Sequence, residues 1–204
     1  MEGAAQPTLD AVRERTGGRS ARVREAVIEA ARTQLVEGGY GSLSHAAVAK
    51  AAGVDRATVY RRWPTRARLT MDALVGIADA TVQYPETGHL ESDLREFAGA
   101  VVALLSEPGL IRMAQALVAA EGDDPELRDV AAEFWAARLT WGAGMVEAAV
   151  ERGEIEPVED PKVVPEALIA PFYFRALISG REIDAALVEA AVTGAMGHVT
   201  LTGS

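Results

Sequence analysis

The chain has 204 residues, 49% of them hydrophobic, with no cysteine and a formal net charge of −10. That is enough for one well-packed domain, or for a small module joined to a larger one, and it excludes a disulfide framework and a thiolate metal site. No apolar run approaches the roughly 20 residues of a membrane span, and residues 1–18 lack the hydrophobic stretch of a signal peptide, so a cytoplasmic protein with no membrane partner is expected.

The net charge argues at first against a polyanionic partner, because nucleic-acid binding is driven by phosphate neutralisation. Its distribution reverses that reading. Residues 1–68 hold 12 Arg or Lys against 7 Asp or Glu, a net of +5, whereas residues 69–204 hold 8 against 23, a net of −15. A small basic module fused to an acidic body, with only the basic end able to dock on DNA, fits such an asymmetry.

Residues 1–18 mix Gly, Pro, Gln and charges without periodicity and are expected to form a mobile arm. Its Arg13 and Arg15, with Arg19, could touch phosphate or the minor groove, or stay solvated. A helix is predicted from Ser20, with Val23, Val27, Ala30, Ala31 and Leu35 as its stripe and Gly38-Gly39 as its stop. Leu43, Val48, Val59 and Tyr60 are candidates to complete a three-helix core, and Ser42 and Ser44 stand where a hydroxyl can cap the next helix.

Ser44 to Pro64 reads as two short helices and a tight turn. The first ends at Gly53; Asp55 can cap the second, and Pro64 stops it near Arg62. Helix, Gly-containing turn, helix is the form of a helix-turn-helix, whose second helix lies in the DNA major groove. A plain helical hairpin would share the spacing. The residues of the second helix favour DNA, since Arg56, Thr58, Tyr60, Arg61 and Arg62 are all hydrogen-bond donors, whereas a solvated face usually mixes charge signs.

A fourth helix is predicted from a Thr65 cap to about Val82, burying Leu69, Ala73, Leu74, Ile77 and Ala78. Its basic first turn, Arg66 and Arg68, opposes the helix dipole, which suits a phosphate contact better than a solvated turn. After the Pro- and Gly-containing segment Tyr84 to Glu91, five helices are expected at about 91–106, 108–121, 125–152, 162–179 and 184–201. Their starts are marked by Glu91 or Ser92, Pro108, Asp124, Asp160 and Asp184. No stretch alternates with period two, so no sheet is expected. The last two helices, joined at Ser179-Gly180-Arg181, should pair antiparallel. Their small residues (Ala186, Ala190, Ala191, Gly194, Ala195, Gly197) and larger ones (Leu168, Phe172, Ala176, Leu187, Leu201) suit a two-fold dimer through a four-helix bundle.

Ser44 to Leu69 resembles the tetracycline-repressor (TetR) family of bacterial transcription regulators, above all in Val48-Ala49-Lys50-Ala51-Ala52-Gly53-Val54, in Ala57-Thr58-Val59-Tyr60-Arg61-Arg62-Trp63-Pro64, and in Arg66 and Leu69. Pro171-Phe172-Tyr173-Phe174-Arg175 also looks like one C-terminal subtype. The resemblance implies an all-α fold of about nine helices. A DNA-binding domain would occupy residues 19–65, and an effector-binding and dimerisation domain residues 66–204.

Carried over by position, it places Arg56, Ala57, Thr58, Arg61 and Arg62 at bases and Ser44, Tyr60 and Arg66 at phosphates. Arg66 stands where the family usually has Lys. Ala46 cannot supply the long polar contact sometimes made from that helix, which moves readout to Arg56, Arg61 and Arg62 and suggests guanine in the half-sites. The dimer face would include Leu168, Phe172, Leu187, Ala191, Gly194 and Ala195.

The resemblance also implies an effector pocket among the fifth to eighth helices. Phe97, Val101, Met113, Leu117, Phe134, Trp135, Arg138, Tyr173 and Arg175 are its candidate lining, with Arg112 and Gln115 as further polar partners, although each apolar residue singly also reads as core. The expected partners are a double-stranded palindromic operator, a second copy of the chain, and a small apolar or amphipathic effector of unknown identity that releases DNA. The alternatives are a DNA-binding factor without an effector and an all-helical enzyme. No catalytic residue, cofactor or metal is expected. His45, His89 and His198 have no metal-ligand spacing, Gly38-Gly39-Tyr40-Gly41 lacks the Lys of a phosphate loop, and of Glu121, Asp123 and Asp124 the last reads as a helix cap.

Overall fold

The computed structural model describes residues 9–83, 85–120 and 122–202. These form α1 (Leu9–Ser42), α2 (His45–Ala52), α3 (Arg56–Arg62), α4 (Arg66–Thr81), α5 (Leu90–Leu105), α6 (Pro108–Ala120), α7 (Pro125–Glu151), α8 (Val163–Tyr173) with a π-helical continuation (Phe174–Ser179), and α9 (Ala185–Met196). The fold is all-α. Among the described residues the one extended pairing is an isolated antiparallel bridge between Ile155 and Leu201. Two compact units divide inside α4, between Ala73 and Leu74, whereas the resemblance placed the boundary after Thr65.

In the first unit, α1 begins at Leu9, earlier than the Ser20 predicted. Of the expected arm, residues 1–8 and the side chains of Arg13, Arg15 and Arg19 lie outside the described residues. The Gly38-Gly39 stop appears as a kink, with Gly39 at φ 68° and ψ −177°, backbone that only glycine adopts without strain. Val27, Ala31 and Leu35 of α1 are buried with Leu43, Val48, Val59, Trp63, Ala67 and Leu69. Tyr60, expected in this core, is instead 40% exposed.

Ser44 accepts from the Ala47 N–H at 3.2 Å to start α2. Gly53 ends it at φ 66°, its N–H bonding the Ala49 and Lys50 carbonyls. Asp55 then accepts from the Ala57 N–H at 2.7 Å to start α3, and Thr65 accepts from the Arg68 N–H at 3.3 Å at the head of α4.

The second unit is built on α5, α7, α8 and α9, whose buried faces share Leu94, Phe97, Val101, Met145, Val146, Val164, Leu168, Phe172, Val192 and Ala195. Asp124 caps α7 through the Leu127 N–H at 3.1 Å, which accounts for its carboxylate without a metal.

Three predicted boundaries move. α5 starts at Leu90, where Glu154, distant in sequence, accepts from the Leu90 N–H at 2.8 Å. Asp160 bonds the Lys162 N–H and Lys162 takes the N-cap position of α8. α9 stops at Met196, and the tail beyond it returns to the α7–α8 connection through Glu156 N–H to Thr200 O and Thr202 N–H to Glu154 O. Pro171 withdraws one intrahelical donor within α8, and the helix widens into the π turn three residues later. Among the described residues no single helix is long and apolar enough to cross a membrane.

Candidate nucleic-acid interface

α3 is seven residues long and is held at both ends by side chains. The Asp55 carboxylate accepts from the Ala57 N–H, and its backbone carbonyl accepts from the Thr58 and Val59 N–H groups. At the other end the Trp63 N–H donates to the Val59 carbonyl at 2.8 Å, and the Trp63 carbonyl accepts from His45 Nε2 at 2.8 Å. The Trp63 indole, 3% exposed, donates from Nε1 to Asp72 Oδ2 at 2.8 Å, and Asp72 Oδ1 pairs with Arg24 at 2.9 Å. One indole and one carboxylate thereby tie α3 to α1 and α4.

The outer surface of α3 carries the residues assigned to DNA. Arg56, Ala57, Tyr60, Arg61 and Arg62 are exposed and Thr58 is half-buried. Arg56 donates from Nη2 to the Tyr60 hydroxyl at 3.0 Å, with its Cζ 5.1 Å from the ring centroid. Arg62 folds back, donating to Ser20 Oγ at 3.4 Å with its Cζ 5.5 Å from the Trp63 ring. Ser44 is exposed at the head of α2. Arg66 is half-buried, its Cζ 4.4 Å above the Tyr40 ring, so this cation is held by an aromatic face.

In the second unit, Phe97, Val101, Met113 and Leu117 are buried. Phe134, Trp135 and Tyr173 form an edge-to-face series at centroid distances of 5.1 and 5.0 Å. Phe97 lies 5.7 Å from Trp141, and the Arg138 Cζ sits 5.0 Å from the Trp141 ring. Burial pushes the Tyr173 phenol up to about 12, with the Arg138 charge pulling the other way. Gln115 donates to the Leu177 carbonyl at 3.4 Å; the Arg112 side chain lies outside the described residues.

Two groups of residues assigned in this unit are held within the chain itself. Arg175 sits in the α8–α9 corner, where it donates to the Glu182 carbonyl and pairs with Asp184 at 3.6 Å. The Leu187 N–H, with Arg175 adding, holds the Asp184 carboxyl below its ordinary range. Arg175 lines a groove of about 420 Å³ there, together with Phe174 and Leu187. Leu168, Phe172, Ala191 and Ala195, assigned to a dimer face, are buried within the single chain, where they fill its own core. Leu187 remains half-buried and Gly194 exposed. Among the described residues of this unit the most exposed large apolar side chains are Ile178 and Phe174 of the π turn, 69% and 59% exposed, followed by Val118, Leu201 and Trp135.

Residues 27–71 match the family described as "Bacterial regulatory proteins, tetR family", and residues 84–195 match "Tetracyclin repressor-like, C-terminal domain". The HTH-type transcriptional regulator AqdR of Rhodococcus erythropolis is 33% identical over 178 residues, covering 86% of this chain and 84% of that protein. The chain belongs to the TetR family.

The TetR family transcription regulator SCO0332 superposes with a TM-score of 0.74 at 28% identity, over 86% of this chain and 97% of its own. The Flavonoid-responsive Regulator FrrA shares the fold, with a TM-score of 0.64 at 20% identity over 88% of this chain and 98% of its own. This TetR chain is a DNA-binding helix-turn-helix transcriptional regulator, as its relatives are.

The sequence shows His45 without metal-ligand spacing and gives it no other role. In the structure it is 7% exposed and stacked on Tyr60, with centroids 4.3 Å apart and planes 10° apart. A readable signal existed: a ring at the first position of α2 is brought against the last turns of α3 by a helix-turn-helix. The Trp63–Asp72 pair has no such signal, since nine residues and a helix start separate the two and no local pattern marks them.

Proposed function

We propose that this TetR-family chain is a ligand-responsive repressor that binds a palindromic operator as a homodimer and leaves it when a small apolar or amphipathic effector binds the second unit. The observation that carries the reading is the outer surface of α3, where Arg56, Tyr60, Arg61 and Arg62 stand exposed on a helix capped at both ends. Arg56, Arg61 and Arg62, with Ala57 and Thr58, are assigned to base edges; Ser44 and Tyr60 are assigned to phosphates. Arg66 keeps its phosphate assignment on condition that it leaves or tilts from the Tyr40 ring.

Two recognition helices reach successive turns of one DNA face only in a two-fold dimer. The surface assigned to that dimer is Phe174, Ile178, Leu187 and Gly194, in place of the four residues that prove to be buried. Phe97, Val101, Met113, Leu117, Phe134, Trp135, Arg138 and Tyr173 remain the effector assignment, an apolar and aromatic set with a cation at its margin. FrrA, described as flavonoid-responsive, gives a precedent for effector control on this fold.

An effector releases DNA only if it favours the conformation whose recognition helices are wrongly spaced. A coupling of about 1–3 kcal/mol would weaken operator binding roughly 5- to 150-fold. α4 runs through the division between the units and is the natural lever. The test begins by selecting DNA bound by the full chain from a genomic pool, then measures retention of that DNA against a library of apolar ligands ranked by thermal shift. A ligand that stabilises the protein and lowers retention supports repression by release; tight ligands that leave retention unchanged contradict it.

A further inference from the structure

We infer that His45 is a positioning residue for operator binding: its imidazole fixes the Tyr60 ring and the Trp63 end of α3, and so sets the orientation in which Tyr60 and Arg56 meet DNA. The inference rests on the assignment of the α3 surface to DNA made above.

Trp63 leaves the helix with φ −125° and ψ 89°, so its carbonyl lies outside the α3 hydrogen-bond series, and the next residue, Pro64, has no N–H. That carbonyl accepts from His45 Nε2. The Nε2 atom must therefore carry a proton, which in a neutral ring leaves the lone pair on Nδ1. A leucine or methionine at this position would fill the same space but offer neither the donor nor a flat face.

The flat face matters because Tyr60 is partly exposed and would otherwise sample several ring orientations. The near-parallel stack on His45 selects one of them. Tyr60 passes this order outward, since its hydroxyl accepts from Arg56 Nη2 at 3.0 Å. His45, Tyr60 and Arg56 thus form a run from the buried base of α2 to the exposed first turn of α3. Asp72 and Arg24 anchor Trp63 at the other end. A guanidinium ordered before binding loses less side-chain freedom when it meets the duplex.

The test is a double-mutant cycle on the full chain with its selected operator, using His45→Leu, His45→Phe, His45→Gln and Arg56→Ala. His45→Phe keeps the ring and drops the donor; His45→Gln keeps a donor and drops the ring, and neither empties the site. The expected result is a loss of about 10-fold in affinity for His45→Leu with cooperative melting retained, and smaller losses for His45→Phe and His45→Gln.

In the Arg56→Ala background, His45→Leu should cost less than about 3-fold more, because the part of its effect that passes through the Arg56 guanidinium is already gone and only the part carried by Tyr60 remains. If Arg56→Ala weakens binding and His45→Leu multiplies that loss by the factor it shows alone, the inference fails while the DNA assignment stands. If Arg56→Ala leaves operator affinity unchanged, the DNA assignment of Arg56 fails and the inference fails with it.

Discussion

Trp63 joins three helices through three different groups. Its ring nitrogen donates to Asp72 of α4, its backbone N–H closes α3 at Val59, and its carbonyl accepts from His45 of α2. Replacement by phenylalanine would leave one oxygen of the half-buried Asp72 carboxylate without its indole donor, although Arg24 still meets the other oxygen. Tyr173 offers a residue-scale measurement in the second unit. Its phenol is raised from 10.0 to about 12 by burial. A raised pKa means that the folded state holds the proton longer than the unfolded chain. The stabilisation is complete below pH 10 and is lost as pH rises from about 10 to about 12, by on the order of 2–3 kcal/mol. Chemical denaturation across that range should show the decline for the natural chain, and a shallower decline for Tyr173→Phe; parallel curves would mean that Tyr173 ionises as freely folded as unfolded. Nothing in the sequence announced this shift, because it comes from the burial that tertiary packing imposes on the Tyr173 phenol.

At the scale of elements, local chemistry decided what could be read in advance. Ser44, Gly53, Asp55, Thr65, Asp124 and Asp184 were legible as helix ends because a cap is a bond between near neighbours, and each is a cap or stop in the structure. α5 was misplaced because its first N–H is satisfied by Glu154, from beyond the end of α7. The tail after Met196 was read as helix because its composition suits one; its hydrogen bonds go instead to Glu154 and Glu156, and pairing at that distance has no local signature. Asp55→Ala should lower stability by about 1 kcal/mol by freeing the Ala57 N–H. Gly53→Ala should cost a similar amount, about 1–2 kcal/mol, because a side chain at φ 66° is strained. Thermal melts of the two variants check both figures, and an unchanged melting temperature for Asp55→Ala would show that water replaces the cap at no cost.

Across the whole molecule the charge division, +5 in residues 1–68 against −15 in the remainder, fits DNA binding at the basic end. The exposure of Arg56, Tyr60, Arg61 and Arg62 was legible from type and spacing, because a helix that carries so many polar donors together turns them to solvent. The burial of the candidate dimer residues was not, because a small-residue pattern does not say which side of a helix its own chain will cover. Leu168 and Phe172 prove to be core, and Phe174 and Ile178 remain outside. If the proposed dimer forms through this surface, Ile178→Glu should leave a monomer with its melting transition intact, as sedimentation would show; a dimer unaffected by this change, or by Phe174→Glu, would place the interface elsewhere.

Whether Arg56, Arg61 and Arg62 of α3 read a two-fold operator is decided by selection of bound DNA from a random pool, with the natural chain and with Arg61→Ala. The expected outcome is two inverted half-sites about one helical turn apart, or a multiple of it, with guanine at contacted positions. The variant should lose selectivity at one position in each half-site, by about 1–3 kcal/mol. Asymmetric sites, half-sites with only A and T at the contacted positions, or an identical preference in Arg61→Ala would contradict base reading by this helix.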